Sequence, residues 1–170
     1  MEGRLEPVAL IATEGFEDII EIGRQSRRDL YRLDVPRERR IPAGGRILHD
    51  GSELAPLTLE QAEGAAVQAI ASGARSVAIS LLHAYANPAH EEPIAARLKG
   101  RIPYLSLSHV INPEAREYER TIATVLNAAV MPRAAEYLAR LRATLPAETR
   151  LLVMHRRVAW HRPRRPPSVR

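Results

Sequence analysis

The sequence predicts an α/β domain, because short apolar runs alternate with helical patterns along the chain. Strand-like apolar runs occur at residues 7–13, 76–82 and 102–108. Helical patterns at residues 58–73 and 87–100 come directly before the second and third of these runs. A strand, a helix and a following strand in this order are typical of βαβ crossovers in a parallel sheet.

The first predicted strand is PVALIAT (residues 7–13), which Gly15 follows closely. FEDIIEIGRQ (residues 16–25) carries apolar residues at helical spacing, and its acidic residues precede its arginine, as the helix dipole favours. Further on, HDGSEL (residues 49–54) predicts a tight turn between two short strands, because Asp-Gly readily supplies the positive φ of a hairpin.

The next helix is predicted over residues 58–73, where three positions set its limits. Thr58 is a suitable N-cap, Gln61 stands where a capping box needs it, and Gly73 can end the helix. SVAISLL (residues 76–82) is a nearly unbroken apolar run, which predicts a strand covered on both faces.

The segment 87–100 predicts another helix, followed by a strand at residues 102–108. Asn87 is the predicted N-cap, Pro88 stands at the first helical position, and Gly100 ends the helix.

A long helical stretch extends from about residue 113 to residue 145. We expect this helix to be kinked or broken before Pro132, since proline lacks the N–H group that the helix needs there. LLVM (residues 151–154) then predicts the start of one more strand.

Composition excludes several classes of protein. The chain has 170 residues, enough for one domain with a sizeable core, and no cysteine for a disulfide framework, a thiolate metal site or a cysteine nucleophile. No apolar run reaches the length of a membrane helix, and the N-terminus lacks the pattern of a signal peptide. We expect a soluble, cytoplasmic protein.

The net charge of +5 originates in the last sixteen residues. Six of the 25 basic residues are arginines within residues 155–170, which contain no acid, so the rest of the chain carries 19 basic and 20 acidic residues. The positive net charge therefore comes from an Arg/Pro-rich tail. It does not indicate a nucleic-acid-binding surface on residues 1–154.

Two segments carry candidate site residues, the first of which is LLHAYANPAHEEP (residues 81–93). His83 and His90, with a nearby carboxylate, are weak candidates for a metal site, since imidazole and carboxylate are common ligands. The alternative is that both histidines are half-exposed polar residues beside a helix start. His83 is the better placed for ligand contact, because α/β sheets bind ligands at the carboxyl ends of their strands.

The second segment, INPEAREYERTIATVLNAAVMP (residues 111–132), carries a polar stripe with helical spacing. The stripe consists of Glu114, Glu117, Arg120, Thr121, Thr124 and Asn127. It is either a solvated helix face with a Glu117–Arg120 ion pair, or a face that lies against a polar ligand cleft or a domain partner. Periodicity alone does not decide between the two.

Neither a Gly-Lys-Ser/Thr phosphate loop nor a Gly-x-Ser-x-Gly nucleophile elbow occurs in the sequence.

Three motifs nevertheless carry a family resemblance. VALIATEGFEDIIEIGRQSRRDLYRL, SLLHAYANPAHEEPIA and EAREYERTIATVLNAAVMP together resemble the N-terminal region of the hydantoinase A/5-oxoprolinase family, over residues 5–154. The resemblance implies a partial ribonuclease-H-like (sugar-kinase/actin-like) domain with a mixed sheet and flanking helices, here within residues 1–154.

The same resemblance implies ATP-dependent opening of a cyclic amide such as a hydantoin, an N-methylhydantoin or 5-oxoproline. Intact members of the family are expected to use ATP and Mg²⁺. The family's two phosphate loops lie before and after the region matched here, so we expect no cofactor for this chain alone, and an inactive fragment. Its expected partner is the remainder of the enzyme or a second hydantoinase-type subunit. No association with a membrane is expected.

Within the motifs that match, five residues are expected to line or support the cleft of the intact enzyme. They are His83, Glu117, Arg120, Thr121 and Asn127. The resemblance gives no individual catalytic role to any of them.

The tail HRRVAWHRPRRPPSVR (residues 155–170) departs from the family pattern. One permitted back-translation, read two bases further on, gives Ser-Ser-Gly-Gly-Met-Ala-Ser-Pro-Glu-Thr-Ala-Ala, which resembles the family's continuation. We therefore expect a one-base deletion after Met154 and a disordered tail. The alternatives are a nucleic-acid arm, in which the arginines contact phosphates, and a polyproline ligand.

Overall fold

The computed structural model describes residues 6–23, 35–146 and 148–149. The predicted strand at 151–154 and the Arg/Pro-rich tail lie outside the described residues. The described elements are, in chain order, β1 (Val8–Thr13), α1 (Ile19–Ile22), a 3₁₀ turn (Arg37–Arg39), β2 (Arg40–Ala43), β3 (Arg46–Ile47), β4 (Glu53–Ala55), α2 (Leu59–Ala71), β5 (Ser76–Ser80), α3 (Glu91–Leu98), β6 (Tyr104–Leu107), α4 (Ser108–Ile111) and α5 (Glu117–Thr144).

Four strands form a parallel sheet in the order β2-β1-β5-β6. Strands β3 and β4 pair antiparallel in a separate two-stranded sheet. Helices α2 and α3 pack on one face of the four-stranded sheet, and α5 packs on the other. The predicted α/β class with flanking helices is thus confirmed, and antiparallel pairing is confined to the β3–β4 hairpin among the described strands.

Side chains of the two central strands point alternately to the two faces of the sheet and contribute to a hydrophobic cluster on each face. In β1, Ala9 and Ile11 join the cluster with α2 and α3, whereas Val8 and Leu10 join the cluster with α5. All residues of β5 are buried, as its unbroken apolar run predicts. The buried residues of helix α2 are all alanines. Because alanine side chains are small, the helix can approach the sheet closely.

Several local predictions are confirmed. Thr58 and Gln61 form the capping box of α2, with both reciprocal hydrogen bonds present. Gly51, at the Asp-Gly turn, has a φ of 86°, and the hairpin joins β3 to β4 as predicted.

Other boundaries differ from the predictions. The helix predicted over residues 16–25 is described only as α1, and Gly23 follows it with a φ of 50°. Helix α3 begins at Glu91, with His90 as its N-cap, and not at Pro88. The Asn87 side chain instead accepts a hydrogen bond from the N–H of Ala89, which makes a turn before the helix.

Of the two predictions for Pro132, the break is wrong, since α5 continues through this proline, and the kink stays a prediction. Packing along β5 and β6 offsets the hydrogen bond that proline removes. Strand β2 was not anticipated, because Pro42 argues against a strand. Pro42 is tolerated because β2 is an edge strand of the described sheet and the proline is exposed.

Candidate functional site

The carboxyl ends of the four parallel strands form one edge of the sheet, which we call the carboxyl edge. The chain passes from β1 to β2 on one side and later from β5 to β6 on the other. Parallel α/β sheets bind ligands where the strand order reverses in this way, which here falls between β1 and β5. At that point the Oγ1 atom of Thr13 accepts a hydrogen bond of 2.9 Å from the N–H of Leu82.

A buried polar cluster lies beside this point, centred on the guanidinium of Arg120, which is 0% exposed. Its Nε donates to the Oγ of Ser108 at 3.1 Å, and its Nη2 donates to the carbonyl of Leu81 at 2.8 Å. Nη2 also contacts Glu117 Oε1, and Nη1 donates to the carbonyl of Glu114 at 2.9 Å. The predicted Glu117–Arg120 ion pair is therefore present, in the protein interior.

Glu91 completes the cluster from the start of α3 and is also 0% exposed. Its Oε1 accepts from the N–H of Leu81 at 3.0 Å and from the Oγ of Ser108 at 2.6 Å. Its Oε2 lies 2.6 Å from Nδ1 of His109, and this hydrogen bond raises the pKa of the His109 imidazole despite partial burial. The Arg120 cluster (Leu81, Glu91, Ser108, Glu117 and Arg120) thus ties the ends of β5 and β6 to α3 and α5.

Glu91 is the carboxylate of the metal hypothesis for residues 81–93, with a favourable charge in the first turn of a helix as the alternative, so its part in the cluster was missed. An acidic residue two positions before an apolar stretch carries no local sign of burial. Its partner Ser108 is distant in sequence and meets it only because β5 and β6 are neighbours in the sheet.

His83 lies just beyond β5 and has a φ of 56°, the only positive φ of a non-glycine residue in the part of the chain that the structure describes. This conformation is costly for a residue with a Cβ atom and is often found at functional sites. The half-buried imidazole lies 5.9 Å from the ring of Tyr85, edge to face. Burial first, and then the positive charges of Arg120, Arg46 and His49, lower the pKa of His83.

Glu117 lies between His83 and Arg120. Its carboxylate contacts Arg120, and the nearby backbone N–H of His83 contributes a small lowering of its pKa. Burial raises the pKa of Glu117, and the positive charge of Arg120 opposes that rise. Glu117 therefore lies close to both the guanidinium of Arg120 and the backbone of His83.

The remaining stripe residues lie between α5 and the sheet. Thr121 is 1% exposed, and its Oγ1 lies 2.8 Å from the Oγ of Ser80. Asn127 is half-buried and donates from Nδ2 to the Oγ of Ser106 at 2.8 Å. This part of the polar stripe therefore faces small polar side chains of β5 and β6, and the interpretation of the stripe as a solvated face is wrong.

The two candidate metal ligands point to different neighbours. His90 is buried, and its Nε2 lies 2.6 Å from Glu53 Oε1, whereas His83 lies beside Tyr85. No group of three or more histidine, cysteine or acidic side chains that could hold a metal ion occurs in residues 6–23 and 35–146. In the same ranges no helix has both the length and the hydrophobicity of a membrane span.

The described residues do not by themselves fit Mg²⁺-ATP. The sequence has no phosphate-binding loop of the Gly-Lys-Ser/Thr type, and the buried Arg120 already uses its donors within the protein. No catalytic step through a nucleotide is therefore assigned to these residues.

Comparison with known families decides the ancestry of the chain. Residues 1–102 match the family described as the hydantoinase/oxoprolinase N-terminal region. This chain belongs to the hydantoinase/oxoprolinase family. The resemblance carried by the three sequence motifs is thereby confirmed.

Three relatives show the range of the family. Caprolactamase subunit alpha of Pseudomonas jessenii is 37% identical over 146 residues, which cover 79% of this chain and 21% of that subunit. The acetophenone carboxylase gamma subunit of Aromatoleum aromaticum is 31% identical over 144 residues, covering 71% of this chain and 20% of that subunit. 5-Oxoprolinase 1 of Arabidopsis thaliana is 25% identical, covering 81% of this chain and 13% of that enzyme.

The crystal structure of ATP-dependent caprolactamase from Pseudomonas jessenii superposes with a TM-score of 0.70 at 34% identity. The match covers 80% of this chain and 21% of that chain. The hydantoinase/oxoprolinase fold of this chain is thus shared with a solved enzyme, and the chain spans about a fifth of its length.

Proposed function

We propose that this chain is part of the N-terminal domain of an ATP-dependent enzyme that opens a cyclic amide, and that it is inactive alone. The substrate class is that of hydantoins, N-methylhydantoins and 5-oxoproline, and the complete enzyme uses ATP with Mg²⁺ in the cytoplasm. Membership of the hydantoinase/oxoprolinase family supports this proposal, as does the likeness to an ATP-dependent caprolactamase.

One observation carries the proposal to particular residues: a left-handed His83 held above a buried ionic cluster at the carboxyl edge. Arg120 and Glu117 fix the chain around residue 83 through the carbonyl of Leu81 and the N–H of His83. A purely structural loop at this place would relieve the unfavourable φ with glycine or asparagine. An imidazole in this backbone conformation therefore favours a role in contact with a ligand.

In this proposal His83 contacts the substrate, and Glu117, Arg120, Thr121 and Asn127 are positioning residues. A lowered pKa leaves the His83 imidazole neutral near pH 7, so one ring nitrogen can accept a hydrogen bond or a proton from a bound amide or water. Arg120 holds the backbone before that residue through the carbonyl of Leu81, and Tyr85 lies beside the ring. Thr121 and Asn127 anchor α5 to the sheet beneath it.

A second candidate is a non-catalytic subunit that binds and completes a separately encoded remainder. It is favoured by the chain's short span of about a fifth of the relatives and by two relatives that are named as subunits. The same chemistry could then serve a carboxylase, as in the acetophenone carboxylase relative. Nucleic-acid binding through residues 155–170 is the weakest form of this candidate, since it depends on composition alone.

The first experiment is to sequence the gene well beyond both ends of the coding region. We expect family-like reading frames on both sides, interrupted after Met154. The repaired protein should then open 5-oxoproline, hydantoin or caprolactam with release of phosphate from ATP, and the 170-residue chain should not. A clean short gene with unrelated flanks would contradict the enzyme proposal.

The same assay tests the residue roles in the repaired protein. We expect His83→Ala to lower kcat by about 10²-fold or more if the imidazole takes part in proton transfer. Arg101→Gln, a charge removal in the loop before β6, is the matched control and should leave turnover unchanged. Normal turnover of His83→Ala would show that the residue is not catalytic.

A further inference from the structure

Arg46 presents a guanidinium without an acidic partner at the carboxyl edge. It begins β3, three residues after the end of β2, and its side chain is half-buried. No hydrogen bond or ion pair joins its guanidinium to any residue that the structure describes, whereas Arg40 and Arg120 are both held by carboxylates. A half-buried guanidinium without a protein counter-charge can form charge-assisted hydrogen bonds to an anionic ligand.

The arginine is nevertheless held in position. Its guanidinium lies over the ring of Phe16, with 4.8 Å from Cζ to the ring centroid. Stacking on an aromatic face orients the guanidinium but leaves its in-plane N–H groups available as donors. Phe16 lies three residues after the end of β1, and Arg46 three residues after the end of β2, so the pair lies near the ends of both strands.

The hairpin that carries Arg46 is fixed to the segment that follows His83. Asn87 donates from Nδ2 to the carbonyl of Gly51 at 2.9 Å, and His90 contacts Glu53 at 2.6 Å. Gly45 lies so close to the His90 ring that a Cβ atom there would come within 2.9 Å of it. Arg46 and His83 are therefore parts of one rigid arrangement.

The charges around this arrangement are positive. The side chains whose charges act on His83 are Arg120, Arg46 and His49, all basic. The nearby Glu117 is paired with Arg120, which offsets its negative charge. The positive charges that act on His83 attract small anions.

We propose that Arg46 and His83 form a binding site for an oxyanion, a carboxylate or a phosphate, over the crevice between β1 and β5. The planar fork of Arg46 suits two oxygens of one anionic group, and His83 adds a third polar contact from the next strand end. The anion is either the carboxylate of a substrate or a phosphate group. The proposal rests on the proposed function only for the choice of the carboxylate probe.

The test follows the His83 imidazole by NMR in the purified 170-residue chain, with its signal assigned through His83→Gln. Inorganic phosphate, 5-oxoproline as its carboxylate, and neutral caprolactam are added separately. We expect phosphate or 5-oxoproline to shift the signal in a saturable way and to raise the pKa of His83, and caprolactam to do neither. The anion that binds more tightly identifies the source.

Arg46→Gln should weaken that binding by about ten- to a hundred-fold, since it removes a charged hydrogen-bonding group. Without any anion, the same substitution should raise the pKa of His83, because a neighbouring positive charge is lost. Arg46→Lys should bind with intermediate affinity, and the control Arg101→Gln should bind as the wild type does.

Equal binding by wild type and Arg46→Gln, or no saturable shift with either anion, would overturn the anion site. Neither result depends on turnover, so the enzyme proposal would stand or fall separately in the assay of the repaired protein. Conversely, an Arg46-dependent anion site in a repaired protein without amidase activity would leave the present inference intact and reject the proposed reaction.

Discussion

The two faces of the parallel sheet differ in the residues that pack on them. Against α2 and most of α3 the contacts are aliphatic, made by alanines of α2 and by residues such as Ile79, Ile94 and Leu98, with Glu91 at the start of α3 as the polar exception. Against α5 the apolar cluster is smaller, and the interface towards the carboxyl edge contains Ser80, Thr121 and Arg120, all buried.

The difference indicates that the two faces have different structural roles. Aliphatic packing is tolerant of volume-conserving changes and gives stability without fixing individual polar atoms. A buried polar network fixes positions, and each of its members becomes costly when its partner is lost. The α2 side is thus a scaffold, and the α5 side holds the strand ends where ligands of α/β sheets bind.

The largest effect should come from Arg120→Met, which leaves Glu117 and two backbone carbonyls without their donor. Removing one partner of a buried ion pair costs about 3–5 kcal/mol in the free energy of unfolding. The exposed Arg101→Met, which disturbs only a surface pair, should cost about 0–1 kcal/mol. Urea denaturation of the three proteins checks this, and similar losses for both variants would remove the contrast between the two faces.

A smaller effect is expected for Thr121→Val, which leaves the Oγ of Ser80 without its 2.8 Å partner. An unsatisfied buried hydroxyl costs about 1–3 kcal/mol, whereas the double variant with Ser80→Ala should recover much of that loss. A double-mutant cycle by denaturant unfolding measures the coupling. Additive losses in the cycle would mean that volume, and not hydrogen bonding, governs this interface.

The smallest effect concerns pH and His109, whose pKa the bond to Glu91 raises in the folded state. Stability from this pair is complete below the ordinary histidine pKa of about 6.5 and is lost as pH rises through the higher folded value. We expect unfolding measured from pH 6 to pH 9 to show a steeper loss of stability in the wild type than in His109→Gln. Parallel pH profiles would show that the pair of His109 and Glu91 makes no pH-dependent contribution to stability.

Short-range signals in the sequence were sufficient for parts of this fold. The reciprocal Thr58–Gln61 bonds and the turn at Gly51 involve residues within a few positions of each other, so their types alone predict the geometry. Asn87 misled the prediction because its side chain reaches the carbonyl of Gly51, 36 positions away, which no local pattern reports.

The candidate site was predictable only in part. Periodicity placed Arg120 and Thr121 on one helix face, but it could not state what covers that face. The covering groups, Ser80 and Ser108, come from strand ends that only the sheet order brings together. Glu91 and Arg46 were missed for the same reason, since burial and the lack of a partner are properties of the folded chain.

The left-handed backbone at His83 has a consequence for engineering. A non-glycine residue in this region costs about 1–2 kcal/mol, so a stability-guided redesign would favour glycine or asparagine here. Such a redesign would select a more stable protein and discard the imidazole at the crevice in the same step. Position 83 should therefore be held constant in any redesign of this chain for stability.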